Sequence, residues 1–252
     1  MRISYHFAVE VTILGSGSAF NGARGPAGYA ARLGRRVLLF DLGFGNARRL
    51  ARAGLDPRAV SDAFFTHRHP DHVGDLAALL FFLRCEAKPA GGRLRLWGPP
   101  GFPAFVRRLR AAHAPWCEPK GYALEVGELR DGSAVERDGW RLRALAVPHP
   151  TPALAYRLTY KRKALVYSGD TGFCPALADF AAEADLLLLE CGCGARRPQP
   201  GHLTPRLALA TLAASHCRRG LLTHVSREAE SELGRLRLGR FTVARDGQRL
   251  SL

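Results

Sequence analysis

The chain has 252 residues, 47% of them hydrophobic and 23% charged, the composition of a globular protein with a sizeable core. No apolar run reaches the ~18 residues of a membrane span, and the amino-terminal Met1-Arg2-Ile3-Ser4-Tyr5-His6 lacks the apolar stretch of a signal peptide, so a cytoplasmic protein without membrane contact is expected. The net charge of +15 suits an anionic partner, but lysine stands only at Lys88, Lys120, Lys161 and Lys163, and the arginine pairs 35–36, 48–49, 107–108, 196–197 and 218–219 are scattered. They read as solvated surface first and a phosphate-attracting field second.

Residues 7–14 alternate as a strand and run into Gly15-Ser16-Gly17-Ser18-Ala19. No helix follows at the spacing of a dinucleotide-binding loop, so this is expected to be a tight turn whose backbone nears the active site. Strands are expected near 28–33 and 36–41, the second ending at Asp41. A helix then runs through Arg52 and closes at Gly54. Residues 63–66 form the strand that delivers His67-Arg68-His69-Pro70-Asp71-His72. Alternate side chains of an extended segment share one side, so His67 and His69 converge, and the turn at Pro70 lets Asp71 and His72 face a second point. Two neighbouring cations held by imidazole and carboxylate activate water against a phosphoryl or acyl centre. The competing reading is a polar turn that happens to hold three of the nine histidines in the chain. Behind the cluster, residues 73–83 read as a buried helix with Leu76, Leu79, Leu80 and Leu83 on one side.

Further along come a short strand at 94–97, a turn at 98–101 and an amphipathic helix over 102–112. Val135 and then 140–147 pair as strands through the turn at Arg137-Asp138-Gly139, and the second delivers His149. Residues 153–160 and 163–167 form a hairpin that runs into Ser168-Gly169-Asp170-Thr171. A buried strand, 184–190, ends at Glu190, a candidate supporting residue. Gly201-His202-Leu203-Thr204-Pro205 opens a helix with Thr204 as N-cap and Pro205 at N1. Residues 220–223 deliver His224 before a helix that begins at Ser226. One event therefore repeats at His67, His149, Asp170 and His224: a strand, a ligand-type residue, a turn. Ligands at several strand ends along one sheet edge make a site. Each also has a plainer reading: His149 in a capped turn, Asp170 or His202 as a cap. His113 and His216 lack such context and are expected at the surface or at helix ends. Six cysteines lack CxxC spacing, and Cys191 and Cys193 stand too close for an ordinary disulfide, so reduced thiols are expected. No linker or repeat interrupts the pattern, which gives one domain over 1–252.

Taken together, THRHPDH after an apolar strand, VPHP, YSGDT, GHLTP and LLTHVS resemble the metallo-β-lactamase fold, most of all its ribonuclease Z and phosphodiesterase branch. The similarity runs from LGSGSAF at 14–20 to LTHVS at 222–226. It implies an α/β fold, an αββα four-layer sandwich, with two divalent metal ions along one edge, usually Zn2+, with Mn2+ or Fe2+ as alternatives. By the same resemblance His67, His69 and His149 would bind the first metal, Asp71, His72 and His224 the second, and Asp170 would bridge them. A hydroxide shared by the metals would be the nucleophile, with Asp71 orienting or deprotonating it. His202, in the position of the family's GHST-like motif, would stabilise charge or protonate the leaving oxygen, and Asp41 would give structural support.

The expected activity is phosphodiester hydrolysis. The third histidine sits in VPHPTPALAYRL, unlike the TPGHTPG-like run of glyoxalase-like relatives. Ribonuclease Z enzymes grip tRNA with a long basic arm between that histidine and the bridging aspartate. Here only about twenty residues separate His149 from Asp170, and the hairpin takes them. That favours a small phosphodiester, such as a cyclic nucleotide, an RNA or oligonucleotide end, or a phosphocholine-type ester. The alternatives are a thioesterase or lactonase on the same metals, and a non-catalytic metal-containing sensor or nucleic-acid-binding protein, against which the complete ligand set argues. An iron-based oxygen reaction is disfavoured by histidine at position 69, where the diiron flavoprotein branch usually has glutamate. Dimers are common in the family, so a homodimer is one assembly the resemblance allows, and the sequence leaves the oligomeric state open.

Overall fold

The computed structural model describes residues 9–19 and 21–252; of the stretches discussed above, the amino-terminal residues 1–8, on which the signal-peptide reading rests, and Phe20 lie outside the described residues. Strand β3 (Arg36–Leu42) shows how the layers arise. Its Leu38 and Phe40 join one apolar cluster while Val37, Leu39 and Leu42 join another. A strand that reads Val-Leu-Leu-Phe must be covered on both faces. Strand β11 (Leu186–Glu190) does the same, with Leu186 and Leu188 in the shared core and Leu187 and Leu189 in a third cluster.

The first sheet runs β14 (Arg249–Ser251), β1 (Glu10–Gly15), β2 (Gly28–Leu33), β3, β4 (Val60–Phe64), β5 (Arg93–Gly98), β6 (Ala123–Glu128). Its pairing is antiparallel from β14 to β3 and parallel from β3 to β6. The second runs β13 (Thr242–Val243), β12 (Gly220–Thr223), β11, β10 (Lys163–Tyr167), β9 (Ala153–Tyr160), β8 (Trp140–Val147), β7 (Ala134–Arg137). It is parallel from β13 to β10 and antiparallel from β10 to β7.

Helices α1 (Asn46–Arg52), α3 (Leu76–Cys85) and α4 (Phe102–Ala112) pack outside the first sheet through Leu50, Leu76 and Phe102. Helices α5 (Pro175–Phe180), α6 (Pro205–Ala214) and α7 (Arg227–Leu233) pack outside the second through Leu177, Leu212 and Ala229. The expected αββα order is therefore observed. Between the sheets Phe64 meets Trp140 edge-on at 6.0 Å and stacks on Trp97 at 6.4 Å. Burying such a ring stabilises the fold by about 1.5–3 kcal/mol, and Phe64→Ala would cost about 3–5 kcal/mol once the cavity is counted.

Several boundaries differ from expectation. Strand β4 ends at Phe64, although the Phe65 amide still donates to Trp97 O at 2.8 Å. Pro70 begins a single helical turn, α2 (Pro70–Val73), with His69 at its N-cap. The helix expected over 73–83 starts only at Leu76, because the Asp75 amide turns to Leu42 O and its carboxylate accepts from the Ala47 amide. The hairpin over 153–167 is as expected, with Tyr160 opposite Lys163. Strands β6, β13, β14 and helix α5 were not expected. Every residue of β6 is at least partly exposed, so it carries little apolar alternation. No helix among the described residues is long and apolar enough to cross a membrane.

Candidate metal centre

The expected residues come from the carboxyl ends of strands in both sheets. Asp41 comes from β3 itself; His67 to His72 follow β4, His149 follows β8, Asp170 follows β10 and His224 follows β12. The structure brings them together. Donor atoms of His67, His69, His149 and Asp170 lie within 4.8 Å of one another, as do those of Asp71, His72 and His224, and those of Asp170, His202 and His224. Asp170 stands between the groups: its Oδ2 is 3.6 Å from His67 Nε2, 3.3 Å from His72 Nε2 and 3.5 Å from His224 Nε2. Asp71 Oδ2 is 3.3 Å from His224 Nε2, and His69 Nδ1 is 3.4 Å from His149 Nε2.

What lies behind the cluster sets the rings. Asp41, 1% exposed, accepts from the Thr66 amide and hydroxyl at 2.8 Å each, from His72 Nδ1 at 2.7 Å and from the Tyr167 hydroxyl at 2.7 Å. The Thr66 hydroxyl also lies 3.0 Å from His67 Nδ1, and His149 Nδ1 donates to Gly201 O at 3.0 Å. Three imidazoles thus commit Nδ1 to the protein and turn Nε2 inward, which selects the tautomer a metal ligand needs. Thr66 and Tyr167 were not singled out from the sequence. Their only signal was position, one residue before His67 and one before Ser168.

The inner atoms remain unspent. His67 Nε2, His72 Nε2 and Asp170 Oδ1 are buried and none has an aligned protein hydrogen bond. Each such atom would cost about 1–3 kcal/mol if nothing met it, and a nitrogen and carboxylate donor set of this kind fits a divalent cation. The protein's own charges agree. Burial holds His67, His69 and His149 below the usual imidazole range, so their lone pairs are available. Burial alone would depress His72 too, but Asp170 and Asp41 outweigh it and pull a proton onto the ring, the place a cation would take. Asp170 is ionised despite burial because His224 and His72 face it.

His202 stacks on His224, with ring centroids 5.6 Å apart. Its Nδ1 lies 3.1 Å from Glu190 Oε1 and 4.0 Å from Asp170 Oδ2. Burial would lower its pKa, but the Glu190 hydrogen bond and charge raise it overall. Glu190 is itself fixed by the amides of Thr171 at 3.1 Å and Gly192 at 2.5 Å. A side chain at Gly192 would run into the His202 ring. Thr204 sits at the N-cap of α6 as expected, yet its hydroxyl makes no cap hydrogen bond. His113 and His216 are exposed, His113 as the cap at the end of α4. All six cysteines are free, Cys191 and Cys193 being buried.

The glycine-rich turn reaches the site as expected, with Gly17 bridged to Val225 beside His224. Asn21 Nδ2 donates to Val225 O at 2.8 Å. Asp246, not singled out from the sequence, accepts from the Ser16 amide and hydroxyl at 2.9 and 2.8 Å and from the Gly25 amide at 2.6 Å. These loops border a cleft of about 520 Å³ that opens onto His69, Asp71, Asp170, His202 and His224.

The β-lactamase superfamily domain matches residues 35–225, the span that holds every clustered histidine and aspartate, and the chain belongs to that superfamily. Its similarity to ribonuclease Z proteins places it in the ribonuclease Z-like branch. It is 33% identical over 195 residues to ribonuclease Z of Mycobacterium avium (strain 104), covering 71% of this chain and 69% of the relative. It is 26% identical over 271 residues to that of Methanothermobacter thermautotrophicus, covering 86% and 87%. Among solved structures, a metallo-β-lactamase fold protein of Bacillus subtilis superposes with a TM-score of 0.81 at 20% identity, over 97% of this chain and 99% of that one. The short form of human tRNase Z gives 0.79 at 22% identity, over 96% and 98%. A diphosphatase of the PhnP family gives 0.76 at 18% identity, over 97% of each. At these identities the structural likeness is one of fold.

Proposed function

We propose that the chain is a metal-dependent phosphodiesterase acting on a small phosphodiester or an RNA end. The observation that carries this is the pair of donor groups meeting at Asp170, with the inner atoms His67 Nε2, His72 Nε2 and Asp170 Oδ1 lacking an aligned protein hydrogen bond. In this reading His67, His69 and His149 would hold one cation and Asp71, His72 and His224 a second, with Asp170 available to both. Two divalent cations, zinc by the donor set with manganese or iron as alternatives, would supply Lewis acidity and acidify water. The chain's own groups do the rest. Asp71, at the rim of the cleft, orients the attacking water. His202, anchored through Nδ1 by Glu190, offers Nε2 as proton donor to the leaving oxygen. The ribonuclease Z relatives support an RNA substrate. The short β9–β10 hairpin between His149 and Asp170 supports a small one. Free thiols fit a reducing, cytoplasmic compartment.

The test is hydrolysis of bis(p-nitrophenyl) phosphate beside a thioester and a lactone, before and after chelation. Diester turnover is expected, and it should vanish on chelation and in Asp170→Ala. Turnover of the thioester or lactone alone would replace this reading with a carboxylic-ester one.

A further inference from the structure

We infer that the cleft beside the metal centre holds a second anion subsite, formed by Arg197 and Arg227, for a phosphate neighbouring the scissile diester. This rests on the diesterase reading and narrows its substrate to one with at least two phosphates. The wall of the cleft that holds His69, Asp71, Asp170, His202 and His224 also carries Arg197 and Arg227, with Ser18, Gln199 and Glu228.

The segment carrying Arg197 is anchored along its length. The Gly192 amide donates to Glu190, the Cys193 amide to Leu203 O, the Ala195 amide to Glu232 Oε1, and the Arg197 amide to Gly194 O. Its exposed guanidinium therefore projects from an ordered support, which lowers the entropy lost on binding. Arg227 opens α7 directly after Ser226, whose hydroxyl accepts from the Ala229 amide. Its guanidinium lies over Gly22, where any side chain would meet Nη2.

Among the described residues neither arginine makes an ion pair or a side-chain hydrogen bond. Many arginines elsewhere are matched: Arg24 with Glu230, Arg95 with Glu125, Arg141 with Glu136. The Glu228 side chain packs against the Gly194 backbone, and Glu232 is engaged by the Ala195 amide. Two guanidiniums with no ion pair among the described residues leave positive charge on the cleft wall for an anion to meet. A planar guanidinium matches phosphate oxygens in pairs. A single diester, such as a cyclic mononucleotide, brings one charge and would spend it at the metals. A volume of about 520 Å³ is within the range for small ligands and suits a dinucleotide.

The experiment compares uridylyl-uridine with its 5′-phosphorylated and 3′-phosphorylated forms. Binding is measured by calorimetry on the chelated protein, and kcat/KM on the metal-loaded protein. One phosphorylated form is expected to bind about tenfold tighter than the bare dinucleotide, the product of two screened, charge-assisted contacts. The preference should shrink severalfold in Arg197→Ala and in Arg227→Ala and disappear in the double variant. Arg108→Ala, an equal charge change on exposed α4, should keep it. Equal binding of all three ligands, or a preference that survives the double variant, overturns the subsite. Failure of the diesterase reading shows separately, as a binding preference without turnover of any of the three.

Discussion

Asp41→Asn tests how the centre is held without touching a proposed ligand. The carboxylate meets four donors, one at Oδ1 and three at Oδ2. An amide must place its NH2 at one position or the other. Facing the three donors is prohibitive, so the NH2 takes the Oδ1 place and opposes the Thr66 amide. That leaves one buried backbone N–H without an acceptor, about 1–3 kcal/mol, and turns three charge-assisted bonds into neutral ones at about half their strength. Relief from burying a charge offsets part of this, so the net loss is about 3 kcal/mol. For a chain of this length that corresponds to a melting temperature lower by about 6–12 °C. With His72 and His67 less firmly oriented, metal affinity should fall about 10–100-fold. Differential scanning fluorimetry of the chelated protein reads the first effect, and competition against a chromophoric chelator reads the second. A variant that binds metal as tightly as the wild type would refute the claim that this carboxylate orients the ligands.

Other outcomes follow from the same structure. His202→Ala should lower kcat about 10²–10⁴-fold on a dinucleotide, whose leaving alkoxide needs a proton, and far less on a p-nitrophenyl ester; equal losses on both would exclude proton donation. Asp246→Ala should raise KM by about threefold or more with metal content unchanged, because three hydrogen bonds to the loop at 16–25 are lost; an unchanged KM would show that the loop holds itself. Asp185 is partly desolvated, which raises its pKa, but the Ala164 amide and Lys163 pull it below the usual carboxylate value. A depressed folded-state pKa gives stability that is present above the unfolded value near 3.9 and is lost as pH falls through the folded value. Asp185→Asn should therefore cost about 1 kcal/mol at pH 7 and nothing in strong acid, as read by urea melts across that range; a pH-independent difference would contradict it.

The site was more legible than its surroundings, for a physical reason. The candidate metal ligands are histidines and carboxylates, residue types able to hold a divalent cation, and they follow strand ends at His67, His149, Asp170 and His224, where the apolar pattern of each strand breaks off. Strands such as 220–223 were equally plain because both faces are buried. The groups behind the ligands were not so marked. Thr66, Tyr167 and Asn21 are common residue types whose roles depend on partners 25 to 204 residues away. The two-residue β13 and three-residue β14 are too short to show any period. Arg197 belongs to a dipeptide that looks like the other scattered arginine pairs. Only the fold distinguishes one bordering the cleft.

The shortest strands have the widest reach. Residues 242–251 pair first with β12 at the rim of one sheet and then with β1 at the rim of the other, and the bend between them carries Asp246. The closing decade of this sequence is thus a clasp across both layers. During synthesis the wall of the cleft near Ser18 must wait, unpinned, until nearly 230 further residues have been made. Trimming that decade would slacken the wall of the cleft before it disturbed the helices packed outside either sheet.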